Sequence, residues 1–262
     1  MSKARNTTGN AQHSPNALVV IRPGLELPAE VMPVLESSRS LQELDEQDTL
    51  VPWLFFNMLR KGPDDQWLPK NVFFHSLRED TRETVECTLL FLHKTHRYSI
   101  FEEGDGTKIL CSSLDRVHGL WRVTGEPLTC EGCQYAPIPA HWKNGTPPPC
   151  RLIWTFVGYD EQCQEPFAIN VKSTSMTPAK RFLNTHFIGK FKGKDLPLFV
   201  YKTRLVLTQP TGTYAVLGLE IAGLNSPDEI TRYAALAEAL IGSARINFEA
   251  DQPEDVDHAV PF

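Results

Sequence analysis

The sequence predicts a β-rich α+β domain, and three observations carry that prediction. Short apolar runs recur at close spacing, twenty prolines punctuate them, and only two stretches keep a helical period. Many short strands set apart by Gly and Pro turns point to a barrel or a sandwich.

Residues 1–16 are rich in Asn, Ser and Thr with few apolar side chains, the composition of a disordered leader. A single β-rich domain is expected over 17–247. Its first strand is Ala17–Ile21, and an acidic linker, Glu43–Asp48, precedes the apolar run Leu50–Phe56. Further strands are predicted at Asn71–Leu77, Val85–Leu92, Arg97–Phe101, Leu120–Val123, Leu152–Tyr159 and Phe167–Lys172. Leu198–Leu207 and Tyr214–Ile221 flank the turn-rich Thr208–Thr213 and form an expected hairpin. One helix is predicted over Thr177–Phe191, with Ala179, Phe182, Leu183 and Phe187 on its apolar side. The second opens at Ser226-Pro227-Asp228-Glu229, which has capping-box spacing and a proline at the first helical position. Ile230, Tyr233, Ala234, Ala237, Leu240 and Ile241 then recur at helical spacing, and Gly242 ends it.

No stretch approaches the roughly 20 apolar residues that span a bilayer. The polar N-terminus lacks the apolar segment of an export signal. Six cysteines in such a chain argue for reduced thiols or metal ligands, and for a cytoplasmic location. The net charge of −6 hides a dipolar layout. Residues 172–204 carry eight Lys or Arg against one acid, Asp195, whereas residues 249–262 carry five acids and no Lys or Arg.

Cys111, Cys130, Cys133 and Cys150 follow a C-x18-C-x2-C-x16-C pattern. The Cys130-Glu-Gly-Cys133 turn aims two thiolates at one tetrahedral ion, and the outer cysteines complete a closed shell. Four thiolates with no open position read as structural zinc in an element over about 107–152. Unligated thiols, His118 in place of one cysteine, and a redox role for the turn remain alternatives. Cys87 reads as a core residue, and Cys163 is unassigned.

Single-stranded DNA is held by cations that track phosphates and by rings on which bases stack. Region 172–204 supplies Lys172, Lys180, Arg181, Lys190, Lys192, Lys194, Lys202 and Arg204, with Tyr201 and several phenylalanines interleaved. Strand alternation sets Tyr201 and Thr203 opposite Lys202 and Arg204, so one groove does not hold them all. Phe182, Phe187 and Phe199 weigh toward the core, and Trp121, Tyr135, Trp142 and Trp154 are further stacking candidates.

The segment 248–262 cannot bury enough apolar surface to fold alone, and reads as a partner-binding tail. Its Asp255-Val-Asp257-His-Ala-Val260-Pro261-Phe262 resembles the C-terminal tip of bacterial single-stranded DNA-binding proteins, an acidic run followed by Ile-Pro-Phe. The span from Cys111 to Cys150 more loosely resembles zinc-bearing proteins of phages and mobile elements. The resemblance covers about ten residues and implies an OB-like core, binding to single-stranded DNA, and recruitment of replication, recombination or repair proteins through Asp255, Asp257, Val260, Pro261 and Phe262. Self-association is left open. No P-loop, His-Glu-x-x-His or Gly-x-Ser-x-Gly element is present, so no enzyme is expected. The alternatives are a nuclease or recombination factor, and a zinc-stapled adaptor that never touches nucleic acid.

Overall fold

The computed structural model describes residues 51–56, 71–78, 80–102, 106–137, 148–208, 214–241 and 246. The leader, Ala17–Ile21, Trp142 and the whole tail, with Asp255, Asp257, Val260, Pro261 and Phe262, lie outside them. The described residues form one mixed sheet of eleven strands and two α-helices, as the β-rich reading expects. No helix among them is long and apolar enough to cross a membrane.

The strands are β1 (Trp53–Phe55), β2 (Phe73–His75), β3 (Thr81–Arg82), β4 (Thr84–Glu102), β5 (Gly106–Ser113), β6 (His118–Trp121), β7 (Glu126–Thr129), β8 (Cys150–Asp160), β9 (Glu165–Val171), β10 (Tyr201–Thr208) and β11 (Val216–Leu224). Their order is β3-β2-β1-β9-β8-β4-β5-β6-β7, with β10 also on β4 and β11 on β10. The pairing of β1 with β9 is parallel and every other ladder is antiparallel.

The sheet forks at β4. One edge of this 19-residue strand runs along β8 from Cys87 to Tyr98. Its other edge is divided, with Thr84–Thr88 on β10 and His96–Glu102 on β5. Register shifts at Leu89/Phe91 and Tyr98/Ser99 mark bulges, which bend a strand and let one edge serve two partners. The described ladders therefore follow an open, forked path and do not close into a ring.

Each face carries one helix. Helix α1 (Met176–His186) buries Ala179, Phe182 and Leu183 against Leu89, Trp154, Phe156, Phe167 and Leu205. Helix α2 (Pro227–Leu240) buries Tyr233, Ala237 and Leu240 against Trp53, Leu90, Val157 and Ala168. Residues 156 and 157 of β8 thus belong to opposite cores, as the two-residue period of a strand requires. Gly158 sits in this central strand because a Cβ there would stand 2.7 Å from the Phe167 ring.

The capping box forms as expected. Ser226 Oγ accepts from Glu229 N–H at 3.3 Å, and Glu229 Oε2 accepts from Ser226 N–H at 2.8 Å. Ile241 leaves the helix and is 59% exposed, so it is not part of the apolar side. Helix α1 stops at His186, short of the expected Phe191, because Gly189 at φ +67° and a tight turn beyond it reverse the chain. Leu198–Val200 is a 3-10 turn, and the strand begins at Tyr201.

At the β8–β9 end, charges answer one another. Arg82 Nη1 meets Asp160 Oδ2 at 2.6 Å, a charge contact without hydrogen-bond alignment, in a pair exposed 13% and 1%. Asp160 Oδ1 also accepts from the backbone N–H groups of Gln162 and Cys163. Arg78 Nε donates to Glu165 at 2.7 Å, while Glu161 accepts from Thr88 and Tyr233. Cys87 and Cys163 are buried beside this network, and burial pushes both thiols up.

Candidate metal centre and nucleic-acid interface

Tyr98 of β4 pairs with Cys111 of β5 on one side and Cys150 of β8 on the other. Residues directly opposite in antiparallel strands project to the same face, so both cysteines share the face that α1 covers further along. The other two cysteines follow β7. Their turn is closed by Cys133 N–H to Cys130 O at 3.2 Å, with Gly132 at φ +75°, a backbone state that glycine adopts at no steric cost. Cys130 N–H donates to Val117 O at 2.8 Å, which pins the turn to the sheet.

All four cysteines line one cavity of about 20 Å³, with Tyr98, Trp121, Tyr135 and His96 among its other walls. That volume holds a single water-sized body. Gly119 lets β6 close on it, since a Cβ there would stand 3.2 Å from Cys111 Sγ. Burial pushes the Cys150 thiol up to about 12, and the nearby Cys111, Cys130 and Cys133 add to the shift. Burial raises Cys111 as well, again helped by Cys130 and Cys133. The four thiols are thus electrostatic neighbours. Among the described residues no three His, Cys, Asp or Glu groups converge on one point, so the thiols share the cavity wall without being drawn to its centre. A cysteine swings its sulfur by rotation about one side-chain bond, so thiols on one cavity wall can turn toward a common centre.

His118 is 80% exposed, bound to Asp115 Oδ2 at 2.6 Å, and does not line the cavity. The imidazole that does is His96. Its Nδ1 is buried without a hydrogen-bond partner, and burial, with Arg116 nearby, holds its pKa below the ordinary histidine range. Spacing gives no hint of it, because the sheet and not the loop delivers His96. Tyr98, Trp121 and Tyr135 pack with ring centres 5.1 to 6.3 Å apart.

The basic residues divide between the faces. Lys202 and Arg204 point away from α1 and meet acids: Lys202 Nζ lies 2.9 Å from Glu229 Oε1, and Arg204 Nη2 lies 2.7 Å from Glu86 Oε1. Tyr201 points the other way and packs edge-on against the buried Phe187 at 5.6 Å. Lys180 and Arg181 are exposed on α1, and Lys172 is half-buried just before it. Lys190, Lys192 and Lys194 are exposed on the turn after α1.

That turn is a preformed tip. Phe191 and Lys194 exchange backbone hydrogen bonds of 3.0 and 2.8 Å, with Lys192 at φ +49° and Gly193 at φ +78° between them. Two successive positive φ angles are the signature of a type I′ turn. Phe191 is 54% exposed there, with Lys192 Nζ 5.6 Å from its ring centre. Among the described residues no acid pairs with Lys180, Arg181, Lys190, Lys192 or Lys194. Trp154, by contrast, is buried, and Phe182 and Phe187 are core. No family model, curated protein or solved structure matches the chain, so the reading of these sites rests on its own residues.

Proposed function

We propose that the chain binds single-stranded DNA on the α1 side of its sheet, and uses the acidic segment 249–262 to recruit replication, recombination or repair proteins. The observation that carries this reading is the exposed Phe191 ring on a preformed turn among three lysines that no described acid neutralises. A flat ring with cations around it is the pairing that a base and its flanking phosphates require. Lys180, Arg181, Lys190, Lys192 and Lys194 form the phosphate track. Lys202 and Arg204 are left out because their charge is met by Glu229 and Glu86. An OB-like closure is not needed for this surface.

Cys111, Cys130, Cys133 and Cys150 hold zinc as a staple of the β5–β7 element, in the manner of a zinc ribbon. The donor set fits: four soft thiolates, one cavity and no open position for substrate. Zinc supplies no reaction there and only joins strands β5 and β8 to the turn after β7.

Titration of the full chain with fluorescent oligo-dT across a salt series tests the reading. Affinity that falls steeply with salt supports it. Absence of binding at low salt rejects it in favour of a zinc-stapled adaptor.

A further inference from the structure

Lys94 stands in register with Trp154 of β8, and its ammonium lies 4.7 Å from the centre of that indole ring. Lys180 reaches the same ring from α1, at 5.9 Å. Two ammonium groups over one ring repel each other. Burial, followed by Arg116 and Lys180, holds the pKa of Lys94 below the ordinary lysine range.

Arg116 is delivered by a wired turn. Its φ of +65° places it in the left-handed region. The Asp115 carboxylate next to it is already engaged by Ser113 Oγ–H, the N–H groups of Val117 and His118, and the His118 ring. Among the described residues no acid pairs with Lys94, Arg116 or Lys180.

An independent observation concerns the indole itself. Trp154 is 6% exposed, and its Nε1–H is buried without a hydrogen-bond partner. An unanswered buried donor is costly, because it has lost water and gained nothing in exchange. Two cations and an orphaned N–H at one ring lack the same thing, a group that carries negative charge on several oxygens. A tetrahedral oxyanion spreads its charge over oxygens that point in several directions, which suits donors arriving from β4, α1 and the indole edge.

We infer that Lys94 and Lys180, together with the indole N–H of Trp154, form a binding site for one phosphate group. The phosphate is either a diester within a bound strand or a terminal or free monoester. The site deepens the nucleic-acid reading when the source is a strand, and stands without it when the source is free.

The test follows the indole N–H resonance of Trp154 in the ¹⁵N-labelled full chain, assigned by Trp154→Phe. The probes are inorganic phosphate and oligo-dT with and without a 5′-phosphate. A saturable shift is expected, and Lys94→Ala or the surface variant Lys180→Ala weakens it about tenfold or more. A shift with both oligonucleotides identifies a diester. A shift confined to inorganic phosphate and the 5′-phosphorylated strand identifies a monoester. A resonance that ignores every probe, or that moves with equal affinity in both lysine variants, overturns the site. Oligo-dT binding with a stationary Trp154 rejects this site and leaves the DNA reading intact. A phosphate shift without oligonucleotide binding does the reverse.

Discussion

The β8–β9 end and the α1 side of the sheet treat charge in opposite ways. At the first, Arg78, Arg82, Asp160, Glu161 and Glu165 sit in or near the core, and each has a partner. On the second, Lys94 and Lys180 share the Trp154 ring, and neither they nor the turn lysines pair with a described acid. A buried charge stays only if it is compensated within the fold. A cluster of like charges at the surface is tolerable, lowers stability a little, and draws an anion from outside. The first arrangement serves the fold, and the second is the one proposed to serve a ligand.

The sharpest break of this contrast is Arg82→Ala. It leaves the 1%-exposed Asp160 carboxylate with only its two backbone donors, a loss of about 3 kcal/mol in urea unfolding. Oligo-dT affinity of the remaining folded protein stays unchanged. If stability is untouched, the compensated end is not structural. Next in size is Phe191→Ala, which removes one stacking ring and weakens oligo-dT binding by about 1–2 kcal/mol in anisotropy titrations, with Phe191→Trp restoring it. Unfolding of both variants matches the parent, since the ring contributes no core.

A smaller effect is read at the α2 cap. The Ser226 backbone N–H, then Lys202, hold the Glu229 carboxyl at about 2. The folded state therefore binds this proton more weakly than the unfolded chain. The contact stabilises fully above the ordinary carboxylate range and is lost as pH falls toward about 2. The Tm difference between the parent and Glu229→Gln is expected to be constant near neutrality and to close in that acid window. A gap that persists at pH 2 denies the charge its role. Smallest of all is Arg204→Ala. Its exposed, solvent-screened pair with Glu86 leaves stability nearly unchanged and leaves the salt dependence of DNA binding unaltered. A reduced salt slope would return β10 to the interface.

Local chemistry was the legible part of this chain. Ser226, Pro227 and Glu229 specify their cap within four residues, and the cysteine spacing marks a cluster before any strand is placed. Alternation along Tyr201–Arg204 also separates the two faces correctly. What eluded the sequence depends on register. The polar run His93–His96 hides the continuity of β4, which joins two expected strands into one. Its alternation is polar because His96 lines the cysteine cavity and Lys94 lies over Trp154 instead of packing in the core. His96 at the cysteine cavity, Lys94 over Trp154, and the Glu86 that meets Arg204 all come from distant strands. Only the pairing of β4 with β8 and β10 brings them together.

The register of Tyr98 with Cys150 has a practical meaning for protein engineering. The chain departs from β4 and returns to β8 at adjacent points, so the stretch from Ser99 to Pro149 is a cassette spliced into a hairpin. Replaced by a short turn, it leaves β4 and β8 their ladder from Cys87 to Tyr98 and both helices their cores. Transplanted whole between two neighbouring antiparallel strands of another scaffold, it would bring three cysteines and need a fourth from its host.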